Sequence, residues 1–182
     1  MCTSESSRHW KRALRRKGWA LFVILLTSTS TYSSPQLGRA LSPAEIEALP
    51  QHIFPDGSGL PDGSGDTVAG SELYAVLCAA CHGNVGQGGS ALELVGDRAL
   101  LTTEYPDRGI GVYWPYAPTL FEYIWRAMPP DRPYSLLPDE VYAIVARVLE
   151  LNGLVDSGQR VDAEFLADLE MPNKDGFRSR FD

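Results

Sequence analysis

Five consecutive residues, Cys78-Ala79-Ala80-Cys81-His82, hold the most specific chemistry in the chain. Cys-x-x-Cys-His is the spacing of covalent c-type haem attachment. With two residues between them on a helical turn, both thiols face one edge of a porphyrin and add to its two vinyl groups. The next residue, His82, then directs its imidazole at the iron. A zinc site would want a second pair of ligands, and His9 and His52 are the only other histidines. A thioredoxin-like thiol pair expects a βαβ setting, and the sequence shows none. The motif predicts one haem c, attached through Cys78 and Cys81, with His82 as an axial ligand.

The other axial position asks for a thioether or a second imidazole. Met128 and Met171 are the methionines beyond the initiator. Met128 sits in Arg126-Ala127-Met128-Pro129-Pro130, where proline ends a helix and stiffens the turn that holds the side chain. Met171 lies after the last helix in a polar stretch, and His52 precedes the core. Met128 is the expected ligand; the competing role is core packing, the usual use of a methionine. Methionine opposite histidine raises the reduction potential and fills the position where oxygen or substrate would bind. Such an iron carries electrons and does no chemistry of its own. Trp114, Tyr116 and Arg126 are candidates for the haem environment. Trp and Tyr can cover the ring and donate a hydrogen bond to a propionate, and Arg can pair with that carboxylate. An aromatic core and a solvated arginine are the plainer alternatives.

Helices must position these groups. Gly70, Tyr74 and Cys78 recur every four residues, on one helical face. Asp66 or Thr67 can cap this helix, and Gly70 offers a flat surface for a second helix to cross. The glycine-rich run Gly83 to Gly89 lets backbone pass close to the haem edge. Residues 138–152 give the clearest helix: Pro138 suits the first turn, and Asp139 and Glu140 suit its positive end. Val141, Ile144, Val145, Val148 and Leu149 repeat at i, i+3, i+4, i+7, i+8, and Asn152-Gly153 stops the run. Leu137 is a poor cap. A shorter helix spans about residues 118–127. Ser42-Pro43-Ala44-Glu45 is a capping box opening a helix to about Leu49. Residues 55–66 are rich in turn formers, and one helical turn is expected near residues 162–169. With no sustained strand alternation, the class is all-α. The expected organisation is a signal at 1–34, an irregular arm at 35–67, a haem domain at 68–153 and a tail at 154–182.

Charge is divided unevenly along the 182 residues. Six basic residues stand against Glu5 alone in residues 1–34, while the remainder holds 10 basic and 22 acidic residues, a net of −12. An acidic body does not suit nucleic acid; it suits basic partner surfaces or simple solubility. The basic stretch 8–17, the apolar run Trp19 to Leu26 and the small polar series after it follow the order of a secretory signal. That apolar run is far shorter than the roughly 20 residues of a membrane span. Export to the periplasm is expected, with cleavage near Ser30 to Ser34 and no stable membrane span afterwards; a retained short anchor is the alternative. Cys2 precedes the apolar run and would leave with it, so no cysteine would remain for a disulfide.

Together these residues resemble a class I cytochrome c. Several stretches resemble more narrowly the cytochrome subunit of the Sox sulfur dehydrogenase and related sulfite dehydrogenase cytochromes. They are Tyr113-Trp114-Pro115-Tyr116-Ala117, Arg126-Ala127-Met128-Pro129, Asp139-Glu140-Val141-Tyr142-Ala143, Leu151-Asn152-Gly153 and Met171-Pro172-Asn173-Lys174-Asp175-Gly176-Phe177. Leu37-Gly38-Arg39 and Pro55-Asp56-Gly57-Ser58-Gly59-Leu60-Pro61 extend the likeness upstream. The resemblance implies a class I cytochrome c fold around one covalent haem and the axial pair His82 and Met128. It also implies a periplasmic partner that oxidises sulfur compounds at a molybdenum centre and a downstream cytochrome or oxidase. The Sox subunit typically has two haem domains, and this chain carries a single Cys-x-x-Cys-His, like the first of them. The expected role is an electron-transfer subunit and not a catalyst by itself. A free-standing carrier to a terminal oxidase, a haem-based ligand binder or sensor and a haem peroxidase are the rivals. The stretch around Met171 is expected to pack on the partner, so that removing residues 168–182 would weaken the complex while leaving the haem spectrum intact.

Overall fold

The computed structural model describes residues 38–47 and 52–178. The expected export signal, its cleavage region, Cys2 and the end of the helix expected up to Leu49 lie outside them.

Residues 38–47 belong to a first unit and 52–178 to a second. In the first, helix α1 (Pro43–Glu47) begins with the expected capping box. The Ser42 amide donates to the Glu45 carboxylate at 2.9 Å, and the Glu45 amide returns a bond to the Ser42 hydroxyl at 3.3 Å. Arg39 also pairs with Glu45. The guanidinium first, then the Ser42 bonds, hold the Glu45 carboxyl down to about 2.

The second unit runs β1 (Ser64–Asp66), α2 (Thr67–Leu77), α3 (Ala79–His82), a 3-10 turn (Arg98–Leu100), α4 (Ile110–Tyr113), α5 (Ala117–Ala127), α6 (Pro138–Leu151), β2 (Arg160–Asp162) and α7 (Ala163–Asp168). Among the described residues no helix is long and apolar enough to cross a membrane.

Helix α6 is the axis of this unit. Val141, Ile144, Val145, Val148 and Leu149 are all buried, as their spacing requires, and so are Tyr142, Ala143 and Ala146. A helix apolar on so many sides must be packed from several directions. Helix α2 and strand β1 cover one side and α5 another. The α2 crossing is very close. A Cβ on Gly70 would lie 1.9 Å from the Ala143 carbonyl oxygen, and one on Gly65 would lie 2.2 Å from the Ala143 amide. These positions are glycine because backbone occupies the space where a side chain would go. From α5, Phe121 packs its ring on Tyr142 with centroids 4.5 Å apart. Asp66 caps α2, accepting from the amides of Val68 and Ala69 at 2.9 Å each. Leu137 supplies no cap to α6, as expected. Glu140 compensates by accepting the Leu137 amide at 2.8 Å, and Asp139 accepts the Ser64 amide at 2.8 Å, tying β1 to the helix start.

The stretch after Gly153, read from the sequence as a tail, packs into this same core. Strand β2 pairs antiparallel with β1, placing Gly65 opposite Val161. Thr67 is buried and its hydroxyl accepts the Gly158 amide at 2.7 Å. Val161, Leu166 and Met171 are buried. Met171, expected at a partner surface, is instead an interior residue of its own unit. Strands of three residues are too short to show a period of two, so the ribbon left no mark in the hydrophobic pattern.

Replacing Gly70 by Ala forces α2 and α6 apart. The unfolding free energy of the haem-loaded protein should fall by about 1–3 kcal/mol, read as a lower urea midpoint. An unmoved midpoint would show that the crossing yields without cost.

Candidate haem site

Helix α2 ends at the motif. The Cys78 amide still donates to the Tyr74 carbonyl at 2.9 Å, and α3 then starts a new turn in which His82 donates to the Cys78 carbonyl at 3.0 Å. Tyr74 is buried, and its hydroxyl donates to the Gly83 carbonyl at 2.9 Å. That bond fixes the end of the turn. Both thiols and the imidazole line one cavity of about 920 Å³, at the upper end of the roughly 300–1,000 Å³ usual for ligand pockets. Met128 lines the same cavity from the end of α5. Leu77, Leu94, Ile110, Leu120, Ile124, Leu136, Ile144 and Val148 give it apolar walls.

The histidine is oriented from behind. His82 Nδ1 lies 2.8 Å from the Leu92 carbonyl oxygen. A carbonyl only accepts, so Nδ1 carries the proton and Nε2 keeps its lone pair for a metal. Cys78 and Cys81 form no disulfide with each other. Burial pushes the Cys78 thiol up to about 11, whereas reactive thiol pairs have depressed values. Among the described residues no group of three or more His, Cys, Asp or Glu side chains could hold a metal ion.

Asn152 holds one wall in place. Its Nδ2 donates to the Leu94 carbonyl at 3.1 Å and to the Val148 carbonyl at 2.8 Å, while Oδ1 accepts the Gly96 amide at 3.2 Å. The sequence shows Asn152 as a helix stop; its second role, joining α6 to the loop that carries Leu94, has no local signature. The glycine run behaves differently from expectation. It lies outside the lining and folds on the motif's backbone, with the Gly88 amide donating to the His82 carbonyl at 2.8 Å.

Of the three environment candidates, Trp114 lines the cavity, edge-on to Tyr123, another lining residue, at 5.6 Å between centroids. Tyr116 and Arg126 do not line it. Tyr116 is exposed and its backbone bridges to Glu170. Arg126 pairs with Glu122 one turn earlier at 2.8 Å and stacks on Tyr134. His52 likewise bonds to Glu122, at 3.2 Å, away from the cavity. Burial works against the charge on Glu122, but bonds from the Ile53 amide, His52 and Arg126 outweigh it and hold the carboxyl below its ordinary value. The arginine at the cavity rim is Arg108, the one Lys or Arg among the described lining residues. Its neighbour Asp107 is occupied by the backbone amides of Asp97, at 2.8 Å, and Gly109, at 2.7 Å.

The family described as cytochrome C oxidase, cbb3-type, subunit III matches residues 65–147. Among solved structures, a chain of the crystal structure of the sulfane dehydrogenase SoxCD from Paracoccus pantotrophus is similar with a TM-score of 0.70 and 40% identity. That likeness covers 79% of this chain and 71% of that one. The chain belongs to the cytochrome c family. It is a c-type electron-transfer domain of mostly helical fold, and the likeness to the Sox cytochrome read from its sequence is borne out. No curated protein matches it. Cytochrome c membership implies haem c, and the residues of this cytochrome fit that group: paired thiols, an imidazole with Nε2 free, a thioether and apolar walls meet at one cavity.

Replacing Asn152 by Ala leaves the Gly96 amide and the Leu94 carbonyl short of a partner. Stability should fall by about 1–3 kcal/mol, with faster amide hydrogen exchange at Gly96. Unchanged exchange there would show that another contact holds the wall.

Proposed function

We propose that this cytochrome holds one haem c through Cys78 and Cys81, with His82 and Met128 as axial ligands. In this reading it is an exported, periplasmic electron-accepting subunit of a molybdenum-dependent sulfur or sulfite dehydrogenase. The observation that carries the first part is the meeting of the Cys78–His82 turn and Met128, from separate helices, at one apolar cavity. The second part rests on 40% identity to a chain of SoxCD over 79% of this sequence. The acidic body, net −12 after residue 34, favours partners with basic surfaces. The basic and apolar order of residues 8–26 supports export.

The haem, when bound, supplies a reversible one-electron change at its iron. The protein's residues set the conditions for it. Leu92, through its carbonyl, keeps the His82 ring in the tautomer that offers Nε2. Met128, which lines the same cavity, would supply the iron's second protein ligand, and a thioether there would exclude oxygen and raise the potential. Leu120, Ile124, Ile144 and Val148 keep water from the ring. Arg108, at the rim, is suited to pair with a haem carboxylate; Arg126 is already engaged with Glu122.

Three measurements test this reading on the matured, exported chain. The oxidised wild type should show a thioether-to-iron charge-transfer band, and Met128→Ala should lose it. A five-coordinate wild-type spectrum would replace electron transfer by ligand binding. In periplasmic extracts the chain should copurify with a molybdenum-containing dehydrogenase. Association with a terminal oxidase alone would make it a free-standing carrier.

A further inference from the structure

The last described residues lie across the segment that carries Trp114. Asn173 Nδ2 donates to the Tyr113 carbonyl at 2.7 Å. Phe177 sets its ring edge-on to that of Tyr113, with centroids 5.3 Å apart. Glu170 forms an antiparallel backbone bridge with Tyr116. These contacts grip both ends of a four-residue stretch, Tyr113 to Tyr116, whose member Trp114 lines the cavity. The gripping segment is itself anchored and shaped. Met171 is buried in the core. The Lys174 amide donates to the Met171 carbonyl at 3.1 Å, and the Gly176 amide to that of Asn173 at 3.0 Å. A Cβ at Gly176 would fall 1.7 Å from Asn173 Oδ1, so glycine leaves the amide room to reach Tyr113.

We infer that residues 170–177 are a positioning strap that holds the Trp114 indole against the haem and thereby tunes its reduction potential. The inference rests on the haem reading above. Trp114 is half-buried, and among the described residues no hydrogen bond from its indole nitrogen fixes the ring; it is placed by packing on the core, by Tyr123 and by the backbone that the strap grips. An indole held at the cavity edge excludes water there. Water at a haem edge stabilises the more highly charged oxidised state, so exclusion of solvent raises the potential. Asn173 does not line the cavity; it acts through Trp114. The strap therefore belongs to the electron-transfer site: loosening it would lower the potential, an effect that the sequence-based expectation for residues 168–182 did not include.

The test uses the full-length, haem-loaded cytochrome and reads the reduction potential by spectroelectrochemical titration. Asn173→Ala should lower the potential while the thioether charge-transfer band persists. Phe177→Ala, at an exposed residue, should lower it less and serves if the first variant does not fold. Lys174→Ala breaks only the strap's own pair with Glu170, 3.2 Å long, and should leave the potential unmoved. In a Trp114→Ala background, where no indole remains to be held, Asn173→Ala should no longer shift it. An equal shift with and without Trp114, no shift in either strap variant, or loss of the charge-transfer band on Asn173→Ala would overturn the strap. A wild-type chain lacking covalent haem would instead overturn the reading on which it stands.

Discussion

The distance between α2 and α6 governs the rest of the molecule. Two glycines, Gly65 and Gly70, let the backbone meet Ala143 with no side chain between. That contact fixes where α2 ends relative to α6, and so where the Cys78–His82 turn stands against Ile144 and Val148. Were the helices a side chain further apart, the thiols and the apolar wall would no longer face the same space. The attachment chemistry is written in five residues, but its placement depends on a contact between atoms that carry no chemistry.

The cavity takes the place of a conventional interior. Its walls are core residues, and α6 serves both the protein core on one side and the cavity on another. The polar groups that remain are used to orient, not to fill. The Leu92 carbonyl sets a ring tautomer, Asn152 ties a loop to a helix end, and the Tyr74 hydroxyl closes the turn after His82. Each satisfies a backbone or side-chain group that would otherwise be costly to bury. The low polarity of the walls and the bonded state of these groups are the two conditions that would let a haem iron held there change charge with little rearrangement around it.

Much of this was legible in the sequence, and the exceptions share a cause. The four-residue register of Gly70, Tyr74 and Cys78, the stripe on α6 and the proline after Met128 are periodic or local signals, and each predicted its element. Arg126 was attractive because it stands two residues from Met128. On a helix, however, its neighbour is Glu122 one turn back, and that pair takes it away from the cavity. Arg108 sits in an irregular stretch where no period announces a direction. Tyr116 stands two residues beyond Trp114, a spacing that a regular strand would put on one face; its backbone is instead drawn into the bridge with Glu170, and it stays outside the lining. The β1–β2 ribbon and the buried Met171 depend on contacts between the two ends of the unit, which no window of neighbouring residues contains.

The ribbon also separates two boundaries that are often treated as one. The match to the family model stops at residue 147, inside α6, whereas the packed interior extends through Val161, Leu166 and Met171. The matched stretch is thus shorter than the part of this chain that packs into one interior. Residues 154–177 supply a lid over that surface, written in a local idiom of short strand, single helical turn and strap. Any segment put in place of this outer portion would have to cover β1, α5 and the tryptophan as it does.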